Sequence, residues 1–315
     1  MILPTAEQLA KGSIDPTRDF PETLPDGHTK EDIRPETLVL DTWFTSGLTP
    51  LINQKFAEKD GFQGNLMPFD MRPQAHDIIR TWLLYTTLHS YLREQKAPFK
   101  NIMMSGYVLA GKGEKISKSA GNAKTGPEEL LTQRGADPVR YWALGGQLGK
   151  DIVFEENEIK NGQKLVTKLR NAFQFVKMQL GELSCSQALA LNPQDLYPTD
   201  KWILSRLMTT IKNMRKELDN YEFGLAKIKF EEFFWRDFCD NYLEFIKLRT
   251  YKPELFENGQ KKKESAQFTL VVVYRAIIRL IAPYLPHITE EIYQDYFKEE
   301  LKENSVHTTR YPTGD

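Results

Sequence analysis

Lys115 and Lys118 bracket Ile116 and Ser117, and Ser119 follows, within the stretch GKGEKISKSAGN from Gly111 to Asn122. Two ammonium groups and two hydroxyls between glycines are the groups needed to hold a string of phosphates. Charge on phosphoryl oxygens is stabilised by positioned cations, and that accounts for most of catalysis in phosphoryl chemistry. Glycines on either side allow such a loop to close over its ligand. The bland alternative is an exposed turn, where lysine and serine are common. A neighbouring near-match fails. Gly106 to Lys112 satisfies the first seven positions of G-x-x-x-x-G-K-[ST], but Gly113 stands where a hydroxyl should hold Mg²⁺.

The elements that must position this loop can be read on both sides of it. LVLDTWF, ending at Phe44, predicts a short buried strand, although such a run also fits a helix. MRPQAHDIIRTWLLYTTLHSYL predicts a helix with Pro73 in its first turn. Ile78, Trp82, Tyr85 and His89 share one face of it, with Ile79, Leu83 and Thr86 on the adjacent one. NIMMSGYVLA predicts a second strand running into the loop. Two strands around a helix make a piece of parallel sheet, half of a doubly wound fold.

Beyond Asp137-Pro138 the pattern becomes helical. Leu165, Leu169, Phe173 and Val176 have helical spacing. So do Trp202 to Leu218, Leu225 to Ile246, and Phe268 to Ile281. ITEEIYQDYFKEEL closes the series, with Thr289 as a candidate cap. Breaks are expected at Asn192-Pro193, at Tyr197-Pro198, at Asn258-Gly259 with the Lys261–Lys263 run as a solvated loop, and from Pro283 to Pro286. Four or five amphipathic helices with short connections make a bundle. The fold class is therefore a partial α/β nucleotide-binding fold followed by an all-α bundle.

Bulk properties bound the function. The chain has 315 residues, enough for two domains, and net charge -1. A protein that coats nucleic acid without preference is usually more basic, so nucleic-acid binding would need local basic patches. Two cysteines, Cys185 and Cys239, are too few for a disulfide framework or a zinc cage. No apolar run approaches a membrane span. MILPTAEQLAKGS lacks the apolar stretch of a secretory signal. A reducing, cytoplasmic location is the expectation, with no membrane partner and no protein-bound zinc.

KISKS, between an apparent strand and SAGNA, resembles the KMSKS signature of the class I aminoacyl-tRNA synthetases, with Ile116 at the methionine position. The resemblance implies that Lys115 and Lys118 clamp the phosphates of ATP, that the backbone at Ile116 lies near adenine, and that Ser117 and Ser119 support the loop. ATP, with Mg²⁺, is then a substrate. LDTWFTSGL, from Leu40 to Leu48, is similar to the LDTWFSS segment of the valyl branch. HDIIRTW, from His76 to Trp82, is similar to a family segment that places Asp77 on the ATP ribose. It makes Trp43, Ile78 and Trp82 the walls of a valine pocket. Ala75-His76-Asp77 departs from the Gly-Tyr-Asp or Gly-Phe-Asp of many bacterial members. DKWILSRL, FEEFFWRDFCDNYLEFIK and PHITEEIYQ resemble the family's anticodon-binding bundle, and ADPVRYWAL the linker into it. Tryptophan and aromatic residues at these spacings also fit a plain core.

The resemblance divides the chain into three parts. Residues 1–40 form an irregular segment, the exit of the family's editing insertion. Residues 41–150 form the second half of the catalytic domain, and 151–315 the anticodon-binding bundle. The family's other signature, His-x-Gly-His, does not occur among the five histidines. The expectation is part of a synthetase that activates valine and joins it to tRNA(Val), incomplete as a catalytic unit and requiring the missing N-terminal catalytic half as partner. An isoleucyl relative and a non-catalytic tRNA-binding module are the alternatives.

Overall fold

The computed structural model describes residues 5, 7, 10, 19–21, 23–38, 40–110, 113–117, 121–122 and 126–314. The chain divides into two compact units, Met1–Ile102 and Met103–Asp315.

The first unit begins its regular structure with two short helices, α1 (Thr42–Gly47) and α2 (Thr49–Lys59). The strand expected over LVLDTWF is a correction: Trp43 and Phe44 lie in α1. The Asp41 carboxylate accepts a hydrogen bond from the Trp43 N–H at 2.6 Å, which starts the helix. Leu38 and Leu40 are 80% and 70% exposed, so the run is not buried either. Strand β1 (Phe69–Ala75) follows and takes in Pro73, which therefore does not open a helix. Among the described residues β1 has one neighbour, β2, so a residue without an N–H costs the sheet little there. The helix starts three residues later than Pro73. A 3-10 turn (His76–Ile78) and a π-helical turn (Ile79–Leu83) lead into α3 (Leu84–Glu94). Its inner face carries Thr86, His89 and Ser90. β2 (Phe99–Ser105) pairs with β1 and completes a β-α-β piece.

In the second unit the strand expected over NIMMSGYVLA is broken at Gly106-Tyr107. β2 ends at Ser105 and β3 spans Val108–Ala110. A Cβ on Gly106 would lie 2.3 Å from the Lys150 carbonyl, so only glycine lets the two backbones approach. β3 pairs antiparallel with β4 (Glu114–Lys115) and parallel with β5 (Ile152–Val153). Between them lie α4 (Pro127–Arg134) and α5 (Ala136–Ala143).

The bundle consists of α6 (Glu156–Leu180), α7 (Cys185–Ala190), α8 (Pro198–Asp219), α9 (Phe223–Glu231), α10 (Leu243–Tyr251), α11 (Gly259–Ile281) and α12 (Pro286–Ile292). A π-helical stretch, Glu232–Tyr242, joins α9 to α10. Its core is aromatic: Phe173, Phe230, Phe234, Phe238, Tyr242 and Tyr274 are each at most 2% exposed. The helical spacings of the sequence are met, but two details are corrected. Lys261–Lys263 are in the first turns of α11, not a loop. Asn258 takes the left-handed φ of 55° that ends the preceding turn, which leaves the lysines free to join the helix. Thr289 is inside α12, its hydroxyl donating to the Leu285 carbonyl. The α12 N-terminus is satisfied from far along the chain instead. The Asp137 carboxylate of α5 accepts from the His287 and Ile288 N–H groups at 3.1 and 2.8 Å.

Candidate functional site

The β3–β4 hairpin carries the first half of the lysine motif. Lys115 pairs across it with Leu109, and the Ile116 N–H donates to the Val108 carbonyl at 3.0 Å. Lys115 is exposed, while Ile116 and Ser117 are half-buried. The Lys115 ammonium lies over the Tyr107 ring, 3.8 Å from its centre. Tyr107 is itself fixed, since its N–H donates to the Asp151 carboxylate at 2.7 Å. Asn122 closes the loop from its far side. Its amide oxygen accepts from the Ser117 N–H, and its NH₂ donates to the Lys115 carbonyl, each at 3.0 Å. Lys118 and Ser119 lie outside the described residues.

The remaining candidates stand in the first unit. Trp43 is half-buried on α1, and α1 packs against the π-helical turn that carries Trp82. Their two elements are therefore brought together. Gly47 makes that packing possible on the α3 side, because a Cβ there would crowd Tyr85, Thr86 and His89 at 3.0–3.2 Å. Trp82 is 4% exposed. The Arg72 guanidinium stacks on its ring at 3.3 Å, and Phe99 lies 5.8 Å away. Burial lowers the Arg72 pKa. Ile78 is half-buried and Asp77 exposed, both in the 3-10 turn. The cleft between α2 and the end of α3, lined by Leu48, Phe56, Met67 and Arg93 among others, takes in none of these residues.

The bundle is organised by a buried ion pair. Asp200 is fully buried and Arg249 is 2% exposed. The Asp200 carboxylate accepts from two Arg249 nitrogens, from the Tyr242 hydroxyl at 2.7 Å and from the Ser265 hydroxyl. Three helices and the π-helical stretch thus share one carboxylate. On α9, Lys227 is 5% exposed, its ammonium over the Tyr141 ring at 3.8 Å. Burial lowers its pKa, against the opposing pull of Glu231 and Glu158. Among the described residues no group of three His, Cys, Asp or Glu side chains could hold a metal ion, and no helix is long and apolar enough to cross a membrane.

Residues 5–155 match the profile described as tRNA synthetases class I (I, L, M and V). Residues 200–315 match the anticodon-binding domain of tRNA ligase. Together these take in most of the chain. The chain belongs to the class I tRNA synthetases. Among curated members, valine--tRNA ligase of Rickettsia rickettsii (strain Sheila Smith) is 41% identical over 303 residues, which is 93% of this chain and 36% of the relative. Valine--tRNA ligase of Wolbachia sp. subsp. Brugia malayi (strain TRS) is 41% identical over 98% of this chain and 34% of its own length. The chain thus spans about a third of the curated relatives it matches. Two solved structures share the fold. One is the ternary complex of Agrobacterium radiobacter K84 agnB2 LeuRS with tRNA and LeuAMS. It has a TM-score of 0.67 and 17% identity, covering 90% of this chain and 34% of that one. The other is Mycobacterium tuberculosis methionyl-tRNA synthetase with methionyl-adenylate. It has a TM-score of 0.60 and 22% identity, covering 79% and 48%.

In this member of the class, Asn122 and Tyr107 hold the hairpin residues of the second unit, and Arg72 holds Trp82 in the first. Asn122 is in view as part of SAGN, but an amide that bridges two backbone groups leaves no periodic signal. Tyr107 looks in the sequence like one more strand residue, and its contact depends on the hairpin turn. Arg72 reaches Trp82 only because β1 lies beside the turn that follows it.

Proposed function

We propose that this chain carries the second half of the catalytic nucleotide fold and the anticodon-binding bundle of a valine--tRNA ligase. The whole protein would activate valine with ATP and ligate it to tRNA(Val). The functional division follows residues 41–150 for catalysis and 151–315 for the anticodon, with 1–40 leaving the editing insertion. The hairpin carries this reading: it presents Lys115 on a short exposed strand and leads directly through Ile116 and Ser117. The 41% identity to valine--tRNA ligases supports valine over isoleucine.

In activation a valine carboxylate oxygen bonds to the α-phosphorus of ATP, and the bond from that phosphorus to pyrophosphate breaks. Negative charge grows on the phosphoryl oxygens and the leaving group. Lys115 and Lys118 meet it as positioned ammonium groups, with Ser117 and Ser119 supporting the loop. Ile116 offers its backbone towards adenine, and Asp77 accepts from the ribose hydroxyls. Mg²⁺ would arrive on the ATP phosphates. Trp43, Ile78 and Trp82 wall an apolar pocket. Trp82, packed between Arg72 and Phe99, is rigid enough to exclude larger side chains. A smaller amino acid is rejected weakly, because a missing methylene is worth only about 1–3 kcal/mol.

Valine-dependent exchange of pyrophosphate into ATP is the test. The 315-residue chain alone, without a His-x-Gly-His segment, is expected to stay at blank. Exchange is expected when it is joined to the N-terminal remainder of a valine--tRNA ligase, and Lys115→Ala should then cut the rate at least a hundredfold, taking about 3 kcal/mol of transition-state stabilisation as the scale. Preference for isoleucine in that assay would contradict the substrate assignment.

A further inference from the structure

Arg72 leaves β1 on the side of the π-helical turn, where its guanidinium stacks on the Trp82 ring at 3.3 Å. Phe99 of β2 lies 5.8 Å from the same ring, tilted by 31°. Trp82 is 4% exposed, so no face of the indole is open in this chain. The wall of an amino-acid pocket has to offer a face to its ligand. One of the groups that cover Trp82 therefore has to yield.

Phe99 is poorly placed to do so. It sits between two rings, with Phe69 of β1 at 6.2 Å on top of the contact to Trp82. In a close-packed interior such a ring has nowhere to go without opening the packing around it. Arg72 is held by far less. It forms no ion pair among the described residues, and burial alone acts on its pKa, lowering it. Its Nε is buried and has no hydrogen-bond partner. The attraction of a cation to an indole is opposed by the dry N–H donor, and the two effects are of similar size. Arg72 is half-buried, so its long stem can carry the head group out to water.

We propose that Arg72 is a displaceable cover on the Trp82 wall of the valine pocket, and that the branched side chain of the amino acid takes its place on the indole. An apolar group then replaces a cation on the ring, and the guanidinium returns to water. Phe99 stays, so the indole keeps its position throughout. Arg72 acts through Trp82 and touches no reacting atom. It sets the affinity for the amino acid and leaves the chemical step alone. This rests on the valine--tRNA ligase reading, with Trp82 as a pocket wall, and adds a residue that the sequence motifs do not identify.

Two measurements test it. The first uses the 315-residue chain. Arg72→Ala is expected to uncover the indole, seen as stronger acrylamide quenching and red-shifted emission of Trp82, with Trp82→Phe as the blank for the other tryptophans. The second uses the chain joined to the N-terminal remainder of a valine--tRNA ligase and follows valine-dependent pyrophosphate exchange. A cover in place for about four-fifths of the time weakens apparent binding about fivefold. Arg72→Ala is therefore expected to lower KM for valine about fivefold with kcat unchanged. Arg72→Lys keeps a cation, but its more strongly hydrated head leaves the ring more readily, so its KM and quenching should fall between the two. It carries the same test if the alanine variant does not fold. A residue that merely propped up the indole would raise KM in both variants. Unchanged quenching, or a KM that is unchanged or raised, would overturn the cover and leave the ligase reading intact. No exchange by the joined wild-type protein would overturn both.

Discussion

The Lys115 ammonium rests on the face of Tyr107, 3.8 Å from the ring centre, with one residue directly before β3 and the other at the end of β4. An exposed contact of this kind contributes about 0.5–1 kcal/mol. That is enough to select one rotamer of a long side chain without locking it. The lysine is therefore biased towards the ring while still able to leave it. The ring should shield the Lys115 terminal methylene protons. Their resonance is expected upfield in the wild type and in Tyr107→Phe, and at its ordinary position in Tyr107→Leu. An unchanged shift in the leucine variant would count against the contact.

Asn122 ties the loop shut through two hydrogen bonds. Each contributes about 1 kcal/mol net. Asn122→Ala should speed hydrogen exchange at the Ser117 amide about five- to tenfold, the equivalent of one such bond, and leave the melting temperature of the bundle alone. Asn122→Asp keeps the acceptor for Ser117 but loses the donor to Lys115, so its exchange should fall between the two.

Gly106→Ala would place a methyl 2.3 Å from the Lys150 carbonyl. The atoms it would meet first are all backbone, so the strand must move. Overpacking of this kind costs about 1–3 kcal/mol. The β3–β5 pairing of Val108 with Ile152 should weaken, with a lower thermal midpoint and faster exchange at the Ile152 amide, which donates to the Tyr107 carbonyl. A variant with wild-type exchange at Ile152 would show that the backbones part without cost.

Asp200→Ala would strand the buried Arg249 charge together with the Tyr242 and Ser265 hydroxyls. Breaking one side of a buried pair destabilises by about 3–5 kcal/mol. The urea midpoint should fall sharply. The double variant Asp200→Ala, Arg249→Met should recover part of it, because no charge is then left unpaired. A double variant less stable than the single one would refute this account.

Burial pushes the thiols of Cys185 and Cys239 up to about 12, because the charged thiolate is the form that burial penalises. In the folded chain neither should react with a thiol reagent at about pH 8, below even the ordinary thiol value, and both should react once it is unfolded. The sign for stability follows. With the folded pKa above the unfolded one, the contribution is complete below the ordinary thiol value and fades as pH climbs from there towards 12. Urea midpoints should therefore decline from about pH 9 upward, and less steeply in a Cys185→Ala, Cys239→Ala variant.

Much of this is legible in the chain itself, for a physical reason. The bundle helices carry apolar residues at a period that burial enforces, so Leu169, Phe173 and Val176 declare their face without help. KISKS stands out by its residue types, which suggest the phosphate chemistry proposed above. What escapes are features set by distant or unexpected partners. Asp41 turns a strand-like run into a helix through one hydrogen bond. Asp137 caps a helix about 150 residues further along, where Thr289 looks sufficient in the sequence. Gly106 breaks a strand because of Lys150, which no local pattern around it announces.

The short passage from β5 to α6 has a mechanical consequence. β5 ends at Val153 and α6 begins at Glu156, so only Phe154 and Glu155 lie between them. Two extended residues reach about 7 Å, which leaves no slack. Phe154 is further tethered by its N–H to the Leu109 carbonyl and by its ring against Trp142. A pull on the long helix is thus delivered almost undamped to the strand beside Lys115, as a taut cord passes on a tug that a loose one would absorb.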